Sequence, residues 1–255
     1  MLPTDASTDA GAGPTPELGA CAEDTVDPRS GCAEDTLDLR FTDELLALFQ
    51  EDEPAPGPRQ ADGAPGELLD TPGDWGPATT HVGVVRLVPV RVERDVPLIS
   101  RWMNDPAVAA FWHLEGPEPV TAAHLRAQLD GDGRSVPCLG VVSGIPMSYF
   151  EIYRADLDPL ARHYPARPHD TGIHLLIGSV ADRARGIGSA LLRAVADLVL
   201  DNRPRCARVI AEPNLRNSPS ISAFLSAGFR FSAEVDLPDK RAALMVRDRA
   251  LRDLL

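Results

Sequence analysis

Residues 183–192 read Arg-Ala-Arg-Gly-Ile-Gly-Ser-Ala-Leu-Leu, and they carry the clearest chemical signal in the chain. Gly186 and Gly188 at the mouth of a helix let the backbone come close to a ligand, and the unpaired N–H groups of a helix start favour anions. Arg183 and Arg185 would add positive charge beside a phosphate. The run is not a dinucleotide fingerprint, because Leu191 stands where the third glycine belongs. It is not a Walker A loop either, since no Gly-Lys-Ser/Thr is present. A turn that only starts a helix would read the same way, so the loop by itself leaves both readings open.

The elements that would position this loop are legible on either side. Ile173–Ile177 has strand character, and Ile187, Leu191, Val195 and Leu198 fall on one face of a following helix. Ala207–Ala211 reads as the next strand, then a helix around Ser220–Ala227 stopped by Gly228, then strands near Phe229–Val235 and Ala242–Arg247. Upstream, Val82–Val90 reads as a strand. Asp95 is expected to cap a helix with Val96, Ile99, Trp102 and Met103 inward, and Thr121 to cap a short helix reaching Leu129. Cys138–Val142 and Met147–Tyr153 predict a hairpin turning at Ser143-Gly144. The pattern β-α-α-β-β-β-α-β-α-β-β is that of a mixed α/β domain over residues 81–255.

The chain has 255 residues and a net charge of −13, distributed unevenly. Residues 1–80 carry 18 acidic and 3 basic side chains, against 20 and 22 in the rest. Ten prolines, nine glycines and no lysine in that first stretch predict an acidic, low-complexity extension that cannot bury enough apolar surface to order itself. Within it, Cys21–Arg29 recurs as Cys32–Arg40, and Phe41, Leu45, Leu48 and Phe49 share one helical face over 41–50. That segment is either a helix that docks on a partner protein or a transient one. Cys21, Cys32, Cys138 and Cys206 are too scattered for a disulfide framework or a zinc site, so no metal is expected. Even charge over the remainder makes nucleic acid an unlikely partner class. With no apolar run near membrane length and no secretory pattern at the N-terminus, the expectation is a cytoplasmic protein with no membrane contact.

Taken together, Arg183-x-x-Gly186-x-Gly188, the strand exit Val209–Asn217 and the closing Ala227-Gly-Phe229 resemble the GCN5-related N-acetyltransferase superfamily over roughly residues 82–250. Trp102-Met-Asn-Asp-Pro106, Phe111-Trp112, Pro146–Tyr153, Asp170–His174 and Asp236–Met245 resemble one branch of it more closely. These are the siderophore acyltransferases of aerobactin, mycobactin and desferrioxamine type. The resemblance implies a GNAT fold and acetyl-CoA, or another acyl-CoA, as the acyl donor. The acceptor it implies is a small amine or hydroxylamine, a hydroxylated lysine, ornithine or diamine.

The same resemblance implies roles for individual residues. Leu175, Leu176 and Ile177 would present backbone N–H groups where their strand bulges, and Arg183, Arg185, Gly186, Ile187, Gly188 and Ser189 would hold the diphosphate. Asn214 and Asn217 would meet the pantetheine arm or fix the strand exit, a plain turn role also standing open for Asn217. His174 is placed as general base, since imidazole titrates near neutrality, with Glu212 as its carboxylate partner. Where many relatives carry a tyrosine to protonate the leaving thiolate, this chain has Phe224, which leaves water or a serine such as Ser222 or Ser226. Tyr149, Glu151, Tyr153 and Asp170 are expected around a cationic substrate. Trp102, Trp112 and His113 would wall it, unless the tryptophans pack in the core, and Lys240 and Arg241 would either face its carboxylate or only sit in the hairpin turn. Two other functions fit the same motifs: an aminoglycoside N-acetyltransferase with an acidic cleft, and a non-catalytic CoA-binding module.

Overall fold

A computed structural model of the protein describes Leu69 and residues 71–254. The repeat and the amphipathic segment at 41–50 lie outside the described residues. Order begins ahead of His81. A 3₁₀ turn at Pro72–Asp74 leads into β1 (Ala78–Thr80), and the Trp75 side chain is buried in the main core.

Eight strands form one sheet in the order β1-β2-β3-β4-β5-β6-β8-β7. The others are β2 (Gly83–Pro89), β3 (Ser135–Val142), β4 (Ile145–Arg154), β5 (Thr171–Ile177), β6 (Arg208–Ala211), β7 (Arg230–Asp236) and β8 (Arg241–Asp248). Every neighbouring pair is antiparallel except β5–β6. The β3–β4 hairpin turns at Ser143-Gly144 as its sequence predicts, both residues taking the positive φ that a tight two-residue turn demands.

Three helices cover one face: α1 (Val92–Met103), α2 (Pro106–Trp112) and α3 (Glu118–Leu129), packed on Leu139, Tyr149 and Leu176. The other face carries α4 (Ile187–Asn202), whose Ile187, Leu191, Val195 and Leu198 are all buried, and α5 (Ser218–Ser226). Two expected caps are corrected. Asp95 lies inside α1 and accepts the Arg91 N–H at 2.8 Å from one turn further on, reaching back over the helix start. Thr121 is fully buried within α3, which begins at Glu118 after Pro117. The sequence pattern also omitted α2, a seven-residue helix capped by Asp105, whose side chain accepts the Ala107 N–H.

No helix among the described residues is long and apolar enough to cross a membrane. Gly178, just beyond β5, has a packing role: a Cβ there would lie 2.1 Å from the Trp102 indole. Gly178→Ala is expected to cost about 1–3 kcal/mol of stability through overpacking. The denaturant midpoint should fall accordingly; an unchanged midpoint would mean that Trp102 yields without cost.

Candidate active site

Side chains alternate across a strand, so Tyr149, Glu151 and Tyr153 project from the same face of β4. The antiparallel register sets Leu176, His174 and Gly172 of β5 opposite them in that order. His174 therefore stands beside Glu151, and its Nδ1 donates to Glu151 Oε2 at 2.9 Å. Gly172 has no side chain, which leaves room for the Tyr153 ring; a Cβ at residue 172 would meet that ring at 2.1 Å. Tyr153 lies with its ring centroid 4.9 Å from that of His174 and donates its hydroxyl to Glu212 Oε2 at 2.7 Å. Glu212 follows the end of β6, and its Oε1 accepts from His174 Nε2 in a very short contact. Lys240, from the β7–β8 turn, places Nζ 3.5 Å from the same Oε1.

The result is a row of alternating charge, Glu151–His174–Glu212–Lys240. Burial alone would push the His174 imidazolium to lose its proton, but the charge of Glu212 and the hydrogen bonds to Glu151 and Glu212 outweigh it. They hold His174 up to about 10. Burial works against both carboxylates too: the hydrogen bonds from His124 and then His174 overcome it and hold Glu151 well below the usual carboxylate range, while the charge and hydrogen bond of His174, with Lys240 and Tyr153, hold Glu212 at about 2. In the free site His174 is thus an imidazolium, not the neutral imidazole expected from its ordinary titration. Burial and the adjoining carboxylates raise the Tyr149 and Tyr153 phenols well above 10, so both stay protonated.

His174, Glu151, Glu212, Lys240 and Trp112 line a cavity of about 320 Å³. A second cavity, about 670 Å³, is bounded by Leu175, Ile177, Arg183, Gly186, Gly188 and Ser189. The two share Phe111, Trp112, Leu175, Asn217, Ser220 and Phe224 along their borders. The larger cavity opens where the sheet splays, because β5 and β6 pair only at Thr171↔Val209 and Gly172↔Ile210.

Strand alternation decides which backbone groups face that gap. Gly178 N–H donates to Met147 O, and Asp170 O accepts from Ala155 N–H, so even-numbered residues of β5 bond to β4. The N–H groups of Leu175 and Ile177 therefore point the other way, toward β6 and the cavity, whereas that of Leu176 is taken up by the β4 ladder. The expected bulge is absent: register with β4 runs unbroken from Thr171 to Ile177, and the opening lies on the β6 side.

The loop at 183–189 fits an anion. Gly186 has φ +76° and open space around it, and Ala190 is the first α4 residue to bond one turn back, to Gly186 O. The N–H groups of Ile187, Gly188 and Ser189 precede any such partner. Arg183 lines the cavity but spends donors on Asp105, Ile177 O and Gly178 O, bracing the turn after β5. Arg185 is exposed beside Asp182 and does not line the cavity.

Other expected residues divide sharply. Asn217 caps α5 and borders both cavities; Asn214 borders the smaller one and accepts the Arg216 N–H. Phe224 packs edge-to-face on Phe229 at 5.0 Å and offers no proton. Trp102 is a core residue under Gly178, and His113 is an exposed residue in the left-handed conformation at the end of α2. Arg241 pairs with Glu234 and Asp236 at the surface. Asp170 is the clearest correction. It is fully buried, accepts from Arg208, Tyr164 and the Arg167 N–H, and borders neither cavity. Sequence reasoning missed His124 and Gln128, which reach Glu151 from α3. Their i, i+4 spacing on the face that carries Thr121 and Leu125 was the available signal.

An acetyltransferase (GNAT) domain matches residues 91–237, more than half the chain. The chain belongs to this family, whose members move an acyl group from acyl-coenzyme A. It is 32% identical over 218 residues to a lysine N-acyltransferase, MbtK, of a Mycobacterium species, covering 84% of this chain and 88% of that one. It is 37% identical over 155 residues to an N(6)-hydroxylysine O-acetyltransferase of Escherichia coli, covering 61% and 49% of the two chains. The crystal structure of an uncharacterized Bacillus halodurans protein superposes with a TM-score of 0.66 at 32% identity, over 70% of this chain and 92% of that one. An aminoglycoside acetyltransferase, AAC(6')-Ib, bound to coenzyme A and kanamycin shares the fold at a TM-score of 0.58 and 23% identity, over 67% and 98%.

Asp170→Ala leaves Arg208 buried without its partner and should cost about 3–5 kcal/mol of stability. Activity measured well below the melting temperature should stay within a few-fold of wild type. Intact stability with lost turnover would return Asp170 to the substrate.

Proposed function

We propose that the protein transfers a short acyl group from acyl-coenzyme A to the side-chain nitrogen of an N-hydroxylated lysine, ornithine or related diamine in hydroxamate siderophore biosynthesis. The observation that carries this reading is the Glu151–His174–Glu212–Lys240 row, which lines a small cavity bordering the donor cavity at Leu175. The names of the relatives support it: a lysine N-acyltransferase, a hydroxylysine acetyltransferase and, at 31% identity, a hydroxyornithine transacylase of Ajellomyces capsulatus. Two free, buried cysteines suit the reducing cytoplasm in which we place the reaction.

The acceptor nitrogen must be neutral to attack. An alkyl ammonium, with a pKa near ~10.4, is almost wholly protonated at neutral pH. N-hydroxylation withdraws electron density and relieves that demand. Nδ1–H of His174 stays committed to Glu151, so Nε2 is the atom that exchanges a proton with the acceptor, with Glu212 opposite it. The N–H groups of Leu175 and Ile177 polarise the acyl carbonyl. Ser222 and Ser226 border the donor cavity and, with water, are the candidates to hydrogen-bond the leaving thiolate. Lys240 is the sole lysine in the chain. Facing the acceptor cavity, it is suited to pair with the α-carboxylate of an amino-acid acceptor.

Of the four acids that would line an aminoglycoside's acidic cleft, Asp158 accepts the Leu160 N–H and the other three have cationic partners. Asp156 is committed to Arg154, Asp170 to Arg208, and Glu151 to the His174 row.

His174→Ala should lower kcat by about 10²–10⁴-fold. As a base, His174 acts only after losing its proton. In wild type kcat/KM should therefore rise with pH through an apparent pKa above neutrality, toward about 10. Glu212→Gln removes a charge that favours the imidazolium, so the rise should move to lower pH. A flat profile above neutrality would exclude His174 as the base. Lys240→Met should raise KM for N-hydroxylysine more than KM for N-hydroxycadaverine, which has no carboxylate; equal losses on both would remove Lys240 from acceptor recognition.

A further inference from the structure

Glu151 was expected to hold the cationic acceptor, but its oxygens are already taken. Oε2 accepts from His174 Nδ1. Oε1 accepts from His124 Nε2 at 2.6 Å, Gln128 Nε2 at 2.9 Å and the Tyr149 hydroxyl at 3.0 Å. An ionised carboxylate only accepts hydrogen bonds, so His124 must carry its proton on Nε2. Gln128 is itself fixed, its Oε1 accepting the Ser135 hydroxyl at 2.7 Å. β4 itself supplies one of the anchors of Glu151, Tyr149. Two others come from one face of α3, a helix whose Leu125 and Ala122 pack in the core beneath them.

We propose that His124, supported by Gln128, is a positioning residue that fixes Glu151 against His174 Nδ1 and so aims His174 Nε2 at the acceptor. The proposal rests on the reading of His174 as the reacting group. The groups that face this pair are His124 and Gln128 from α3, Tyr149 and Tyr153 from β4, Glu212 after β6, and Lys240 from the last turn. Asp158, from the segment between β4 and β5, also acts on His174 through its charge. Among these, only the α3 residues and Tyr149 touch Glu151 besides His174. Releasing Glu151 should therefore weaken the hold on His174 while leaving Glu212 and Lys240 in place.

The test is a double-mutant cycle of His124→Ala and Glu151→Gln in the full chain, with N-hydroxylysine and acetyl-CoA, read as kcat, KM, pH profile and melting temperature. If His124 acts through Glu151, His124→Ala should lower kcat by about 10–100-fold, a typical loss when the support of a reacting group is removed. KM should change little. The rise of kcat/KM with pH should move lower, as in Glu151→Gln, and the double variant should be no worse than Glu151→Gln alone. His124→Gln, which keeps a donor near the Nε2 position, should recover most of the kcat. Multiplying losses in the cycle would overturn the proposal, as would an effect on KM alone, which would make His124 a contact to the acceptor. A fall in kcat that only tracks melting temperature, with no recovery in His124→Gln, would also overturn it. A wild-type profile flat above neutrality would defeat the base reading, yet the kcat cycle would still decide whether His124 works through Glu151.

Discussion

The arrangement depends on one half-buried imidazolium held between two carboxylates. Charges taken out of water are costly unless each finds close partners, and removing one member of such a set is worse than never having built it. Here the partners come from three separate strands or their ends. Glu151 arrives by register on β4, Glu212 by the length of β6, and Lys240 by the turn between β7 and β8. Gly172 makes the set possible, because only an absent side chain lets the Tyr153 ring cross β5 and reach Glu212. A shift of one residue between β4 and β5 would turn His174 to the opposite face and dissolve the row.

The same short pairing that opens the sheet sets the two cavities side by side. β5 and β6 touch for two residues and then part, so β6 does not take up the N–H groups of Leu175 and Ile177 as an ordinary parallel sheet would. One strand thus turns the N–H groups of Leu175 and Ile177 toward the larger cavity and the side chain of His174 into the smaller one. In the reaction proposed above, the distance between donor and acceptor is then set by adjacent residues of a single rigid element, which limits the misplacement that orientation-dependent catalysis cannot tolerate.

Much of this was legible before the fold was known, and the limits follow from the range of the forces involved. The glycine loop, its helix and the β3–β4 hairpin depend on local conformational preference and periodicity, and residues 173–200 take the order their pattern predicts. Asp95 and Thr121 were misplaced by a few residues, because a polar side chain near a helix start serves equally as a cap, as a back-bonding partner or, like Thr121, as a buried interior residue. Asp170 and Glu151 could not be assigned from spacing. Which acid meets Arg208 and which meets His174 is decided by contacts between residues 38 and 23 positions apart. His124 and Gln128 escaped notice because α3 turns a mixed polar and apolar face inward, and a periodicity search looks for an unbroken apolar stripe.

Lys240 has a further significance in a chain that carries 24 arginines and no other lysine. Thioesters acylate exposed amines without any enzyme, whereas the delocalised guanidinium is a far weaker nucleophile. A protein that handles such reagents, and meets its needs for surface cations with arginine, presents little of itself to be modified by its own donor. The single side-chain amine it keeps lines the smaller cavity, paired with the Glu212 carboxylate.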